Sequence, residues 1–220
     1  MDSDLIQTIA IWALPVIFAI TLHEAAHGYV AKHYGDLTAY AQGRVSLNPL
    51  RHIDVTGTII VPLVLLLLSK LFGGSGILFG WAKPVPVNFS GLRHPKRDML
   101  WVAAAGPGAN LLMALFWALV LKFAVSMPES DYALPMGLMG KAGIQINVVL
   151  MVLNLLPIPP LDGGRIAVSL LPQHLSYRFS RIEPYGMVIL LLLLFSGILG
   201  FIMWPVVSTV MRLIGSVFNL

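Results

Sequence analysis

The 220-residue chain contains no cysteine, and only 11% of its residues are charged. Without thiols it has neither disulfides nor thiolate metal sites, so any zinc must be held by histidine and carboxylate. The scarcity of charge excludes more. A soluble domain of this length has no use for a chain that is 57% hydrophobic with a mean hydropathy of +0.83. The net charge of +4 acts only through its location in loops and gives no reason to invoke nucleic acid. A positive stretch ahead of the first apolar run is also missing. Met1-Asp2-Ser3-Asp4 is acidic, so residues 5–22 are expected to form a retained helix, not a signal peptide. No polar linker separates two halves, and residues 1–220 are expected to form one transmembrane domain.

What is present is a series of uncharged runs near the length needed to cross about 30 Å of hydrocarbon. The expected fold is an all-α polytopic membrane protein. It would be a bundle of about five to six transmembrane or re-entrant helices, with a small membrane-associated β-hairpin or sheet. A first helix is expected over 5–34, with Pro15 as a place to kink and Gly35-Asp36 as a stop. Residues 43–48 alternate polar with apolar as a strand does, and an irregular interfacial loop fits them equally well. The run 57–72 contains Pro62, is short for a span, and is expected to re-enter and return before Gly73-Gly74-Ser75-Gly76. Trp81-Ala82-Lys83-Pro84-Val85-Pro86-Val87-Asn88-Phe89 places valines and prolines at period two, which allows an edge strand or a polyproline-like loop.

Further helices are expected over 99–125 and 135–156, with a break at 157–164 and a short helix after it. In the first of these, the small residues Ala104 and Gly108 would let another helix backbone come close. Residues 185–217 are too long for one span and have Gly197, Gly200 and Pro205 as places to bend. Arg44, Arg51, Arg93, Lys96, Arg97, Arg165, Arg178 and Arg181 fall on one side. The acidic amino terminus and the Glu129 to Asp131 loop fall on the other, which makes the first side cytoplasmic.

One stretch organises the chemistry: His23-Glu24-Ala25-Ala26-His27. Histidines four apart share a helix face and can aim at one ion, with Glu24 beside them for proton transfer, which is the H-E-x-x-H zinc motif. At 1.5 Å per residue, His23 sits about 27 Å along from Leu5. Ionisable side chains at membrane depth are costly and usually functional. Two histidines leave a catalytic zinc short of a third protein ligand. His33, His52, His94 and His174 stand in polar or basic surroundings, where an interfacial role suffices. Asp162 follows a proline-broken helix end and precedes two glycines. It could cap the next helix, but with the histidine pair on the same membrane side it is read as the ligand. One carboxylate ligand together with Glu24 would neutralise a divalent ion that two imidazoles leave fully charged. A fourth position would remain for water, and hydrolysis is the expected reaction.

The pairing of this motif with Asn154-Leu155-Leu156-Pro157-Ile158-Pro159-Pro160-Leu161-Asp162-Gly163-Gly164 resembles the site-2 protease family of intramembrane zinc metalloproteases. Residues 43–54 and Gly106-Pro107-Gly108-Ala109-Asn110 look like compact members of that family, with no insertion long enough for a PDZ domain. The resemblance implies one zinc ion held by His23, His27 and Asp162, with Glu24 as general acid and base. It implies cleavage of a transmembrane protein or peptide in the lipid bilayer near the cytoplasmic side. It makes Asn154 a candidate for holding the substrate backbone or the developing oxyanion. A multi-pass protein of a prokaryotic cytoplasmic membrane fits such a compact chain. Because a helical substrate must unwind before it is cut, the strands expected at 43–48 and 84–89 could receive it by strand addition. Two other readings predict different behaviour. A zinc transporter needs several ligand clusters along a path and no glutamate directly after His23, whereas a silent membrane adaptor has no reason to keep the ligand set.

Overall fold

The computed structural model describes residues 2–61, 63–64 and 80–220. Its helices are α1 (Asp2–His33), α2 (Thr38–Ala41), α3 (Pro95–Ser126), α4 (Ala133–Leu155), α5 (Asp162–Leu170), α6 (Gln173–Ser180), α7 (Glu183–Phe195) and α8 (Ile198–Phe218). Short 3-10 turns cover Pro49–His52 and Phe89–Gly91, and a π turn covers Val55–Ile60. Four stretches are long and apolar enough to cross a membrane: Ile6–His33, α3, α4 and α8. The chain is a multi-pass membrane protein. Ile6, Leu112, Phe116, Phe201 and Trp204 lie exposed on these helices, as side chains that face lipid should. The shorter apolar α7 is a fifth candidate for the expected bundle. Most of the 57–72 run lies outside the described residues, as does the glycine-rich turn after it.

α3 and α4 pack along each other, and α1 lies across both. α5 sits against α3 and α4 at the same end, and α8 packs on α4 with α7 beside it. Pro15 lies inside α1 without ending it. α3 begins earlier than residue 99, because Pro95 suits a first helical turn and the Asp98 carboxylate accepts the His94 N–H at 2.7 Å. The long run 185–217 divides at Gly197, whose φ of 76° ends one helix and starts the next, while Pro205 stays within α8. The apolar core gathers Trp117, Leu121, Val148, Leu190, Met203 and Val207 from α3, α4, α7 and α8.

The expected β-hairpin or sheet is absent among the described residues. The reason is where the backbone groups go. In 84–89, Pro84 and Pro86 have no N–H to give. The Val85 N–H donates to Glu24 Oε2 at 2.7 Å, and the Asn88 N–H to Asp36 Oδ2 at 2.7 Å. The Lys83 and Pro84 carbonyls accept from the Arg44 guanidinium at 2.8 and 3.2 Å. In 43–48 the Arg44 N–H bonds back to the Ala39 carbonyl, and the Ser46 carbonyl accepts from the buried His52 ring. Side chains have taken several of the groups that a ladder between these two segments would use.

Candidate metal centre

His23 and His27 stand one turn apart on the face of α1 that meets α3, both buried. Asp162 reaches them because of the turn before α5. The Ile158 N–H bonds the Leu156 carbonyl and the Leu161 N–H bonds the Ile158 carbonyl, which folds 156–161 tightly under the end of α4. Gly163 completes the fit, since a Cβ there would lie 2.3 Å from the Leu155 and Leu156 carbonyl oxygens. Asp162 is the first residue of α5, and Leu161 precedes it as the cap with no side-chain capping bond. The capping role considered for Asp162 is therefore not used, and its carboxylate turns inward.

His23 Nε2 and His27 Nε2 are 3.1 Å apart, and each lies 3.3 Å from Asp162 Oδ2. The opposite ring nitrogens are engaged. His27 Nδ1 is 2.7 Å from the Val102 carbonyl, and His23 Nδ1 is 2.6 Å from Asn110 Oδ1. A backbone carbonyl only accepts, so His27 carries its proton on Nδ1 and presents a lone pair at Nε2. Asp162 Oδ2 is buried and receives no hydrogen bond. Three potential ligand atoms thus converge, and with both rings neutral and protonated at Nδ1 they would repel one another unless a cation lay between them. The spacing suits zinc. Ligand bonds of about 2.0–2.1 Å make tetrahedral edges of about 3.3–3.4 Å.

Room for such an ion comes from α3. At Gly106 a Cβ would lie 2.4 Å from His27 Nε2 and 2.6 Å from His23 Nε2, so only a glycine fits there. This corrects the sequence reading at Gly108, to which close approach was assigned. Gly108 is exposed with nothing within 4 Å of its Cβ position, because it lies on another side of α3. Glu24 is half-buried beside the group, held by the Val85 N–H. The Asn154 amide nitrogen donates to the Leu150 carbonyl of its own helix at 3.0 Å.

The sequence drew notice to Asn110 only within the Gly106 to Asn110 stretch and did not single out Asn147, the Val102 carbonyl or the Val85 N–H. Apolar helices with an occasional amide were the only visible signal. Among the described residues, His23, His27 and Asp162 form the one cluster of three that could hold a metal ion.

A multi-pass chain with two histidines, a carboxylate and a neighbouring glutamate gathered between its spans has the make-up of a membrane zinc metalloprotease. The comparisons agree. The pattern described as "Peptidase family M50" matches residues 125–196. A Bacillus subtilis protein named "Putative zinc metalloprotease YwhC" is 37% identical over 214 residues, covering 94% of this chain and 91% of that one. "Putative zinc metalloprotease Rip2" of Mycolicibacterium smegmatis is 29% identical over 185 residues, covering 84% of this chain and 66% of that protein. The Mycobacterium tuberculosis protein of the same name is 28% identical over 188 residues, covering 86% and 66%. No solved structure matches. The chain belongs to peptidase family M50, the site-2 proteases.

Proposed function

We propose that residues 1–220 form a single intramembrane zinc metalloendopeptidase domain that hydrolyses a peptide bond within or near a transmembrane segment of a membrane-protein substrate. His23, His27 and Asp162 hold one zinc ion, and Glu24 is the general acid and base. The observation that carries this reading is the convergence of two Nε2 atoms and one carboxylate oxygen at 3.1–3.3 Å, with both Nδ1 atoms turned to acceptors. Zinc held there supplies Lewis acidity and lowers the pKa of water to about 7.

The remaining work falls to the chain. The Val85 N–H occupies Glu24 Oε2, which leaves Oε1 to take the proton of the attacking water. As the water oxygen bonds to the scissile carbonyl carbon and the C–N bond breaks, Glu24 returns that proton to the departing amine. Asn154, at the end of α4 that leads into the Asp162 turn, is proposed to hold the substrate backbone or the developing oxyanion. The site shares its end of the bundle with Arg93, Lys96 and Arg97 at the start of α3, opposite the Glu129 to Asp131 loop. That distribution supports a site in the cytoplasmic half of the membrane, which we take to be a prokaryotic cytoplasmic membrane.

Glu24→Gln tests the proposal. The variant should retain about one zinc per chain by metal analysis and lose about 10²–10⁴-fold in cleavage. The cleavage readout is the set of membrane-protein fragments present in cells making the native chain and missing in cells making the variant. Identical fragment sets would remove the proteolytic reading. Zinc uptake that is present in both forms would favour transport.

A further inference from the structure

A backbone carbonyl accepts hydrogen bonds and never donates, so any amide beside it must turn its NH2 that way. This settles the orientation of two buried asparagines behind His23. Asn147 Nδ2 lies 2.9 Å from the Gly143 carbonyl, which leaves Asn147 Oδ1 facing α3. There it meets Asn110 Nδ2 at 3.0 Å, and the same nitrogen lies 3.2 Å from the Ala19 carbonyl of α1. Two acceptors on one side leave Asn110 Oδ1 on the other, 2.6 Å from His23 Nδ1. An oxygen at that distance requires Nδ1 to carry the proton. Both asparagines are 0% exposed, so no water competes for these bonds.

We propose that Asn147 and Asn110 form a positioning relay that translates the fixed polarity of the Gly143 and Ala19 carbonyls into the tautomer of His23. The relay keeps the His23 Nε2 lone pair turned toward Asp162 and His27. His27 has the same requirement met in one step by the Val102 carbonyl. His23 faces no such carbonyl on α3, and the side-chain amides carry the signal across from α4 and α1. The inference rests on His23 being a zinc ligand. Asn110 and Asn147 touch neither substrate nor metal in this scheme. The reverse orientation would set both amide oxygens against the Gly143 and Ala19 carbonyls, acceptor against acceptor, so it neither joins the helices nor supports the Nε2–H tautomer.

The test uses the full chain in detergent micelles with 15N-labelled histidine rings, stripped of metal. The native spectrum should show His23 protonated at Nδ1 and bare at Nε2, with His27 as an internal reference. Asn110→Leu should release His23 into exchange between tautomers and weaken zinc, by competition with a chelator, about ten- to a hundredfold. Asn110→Asp should restore the Nδ1–H tautomer and most of the zinc affinity, because the carboxyl keeps an acceptor toward His23 although it cannot supply both donors that Asn110 gives to Asn147 and Ala19. Asn147→Leu should have a smaller effect in the same direction, since the Ala19 carbonyl still orients Asn110. A native His23 with its proton on Nε2 overturns the relay without any variant, and so does Asn110→Leu with unchanged tautomer and zinc affinity. His23→Ala separates the two levels. If it binds zinc as tightly as the native chain, the ligand reading fails; if it loses zinc while Asn110→Leu does not, only the relay fails.

Discussion

The two ends of α3 are built on different principles. At one end Ala114, Trp117, Ala118 and Leu121 join Leu190, Met203 and Val207 in a buried cluster without ionisable groups. At the other, Val102, Gly106 and Asn110 of α3 and Asn147 of α4 surround His23, His27 and Asp162. In lipid the apolar end gains little from burial, because a lipid tail is as apolar as leucine; it is held by fit. Fit tolerates small errors in rotation. The polar end does not, because hydrogen bonds have direction and an unsatisfied polar group in hydrocarbon costs several kcal/mol. The bundle is therefore shaped at one end and aimed at the other. Variants at the two ends should separate metal binding from stability.

The largest contrast is expected within a single stretch of α3. Gly106→Ala places a methyl 2.4 Å from His27 Nε2, in the space between the rings and α3, and zinc affinity should fall at least about tenfold. Gly108→Ala, two residues on, meets nothing within 4 Å and should leave zinc per chain unchanged. Metal analysis of the two purified proteins decides the matter. Equal zinc contents would mean that the helices do not approach as closely at Gly106 as described.

A smaller effect should sharpen the polar side further by leaving the metal alone. Val85→Pro removes the N–H that holds Glu24 Oε2, a hydrogen bond to a charged group worth about 1.5–3 kcal/mol. Cleavage should drop by about tenfold or more through kcat while zinc content stays at the native level. Unchanged turnover would show that Glu24 is aimed by something other than the 83–88 segment.

How much of this was legible in the sequence follows from the same contrast. His23, Glu24, His27 and Asp162 stood out because apolar helices exclude such residues unless something requires them, and their grouping followed from a helical period and a proline-broken turn. Asn110 and Asn147 did not separate from packing amides. Their meaning lies in which atom faces which carbonyl, and a letter in a sequence carries no orientation. The misreading of 84–89 has a related cause. Alternating valine and proline satisfied a period of two, but the partners of that backbone are Glu24, Asp36 and Arg44, about 40–60 residues away in the chain. Local pattern reports the shape of a segment and is silent on distant side chains that take its donors. That 185–217 would divide was legible, but of the three candidate bends only Gly197, in a left-handed turn, is used, while Gly200 and Pro205 stay within α8.

The smallest effect on chemistry is expected from the largest disturbance of the apolar end. Leu190 is 3% exposed within the cluster that α7 contributes to, and Leu190→Ala leaves a cavity there. The stability loss should be about 2 kcal/mol, the low end for buried leucines, because lipid and not water is the alternative environment. It should appear as a lower midpoint in thermal unfolding followed in detergent. Zinc per folded chain and turnover at temperatures well below that midpoint should match the native protein. The aimed end depends on the hydrogen bonds that join α1, α3 and α4, and Leu190 makes none of them. A matching loss of zinc at low temperature would mean that the apolar fit transmits its errors to the histidines, and the two ends would then have to be treated as one unit.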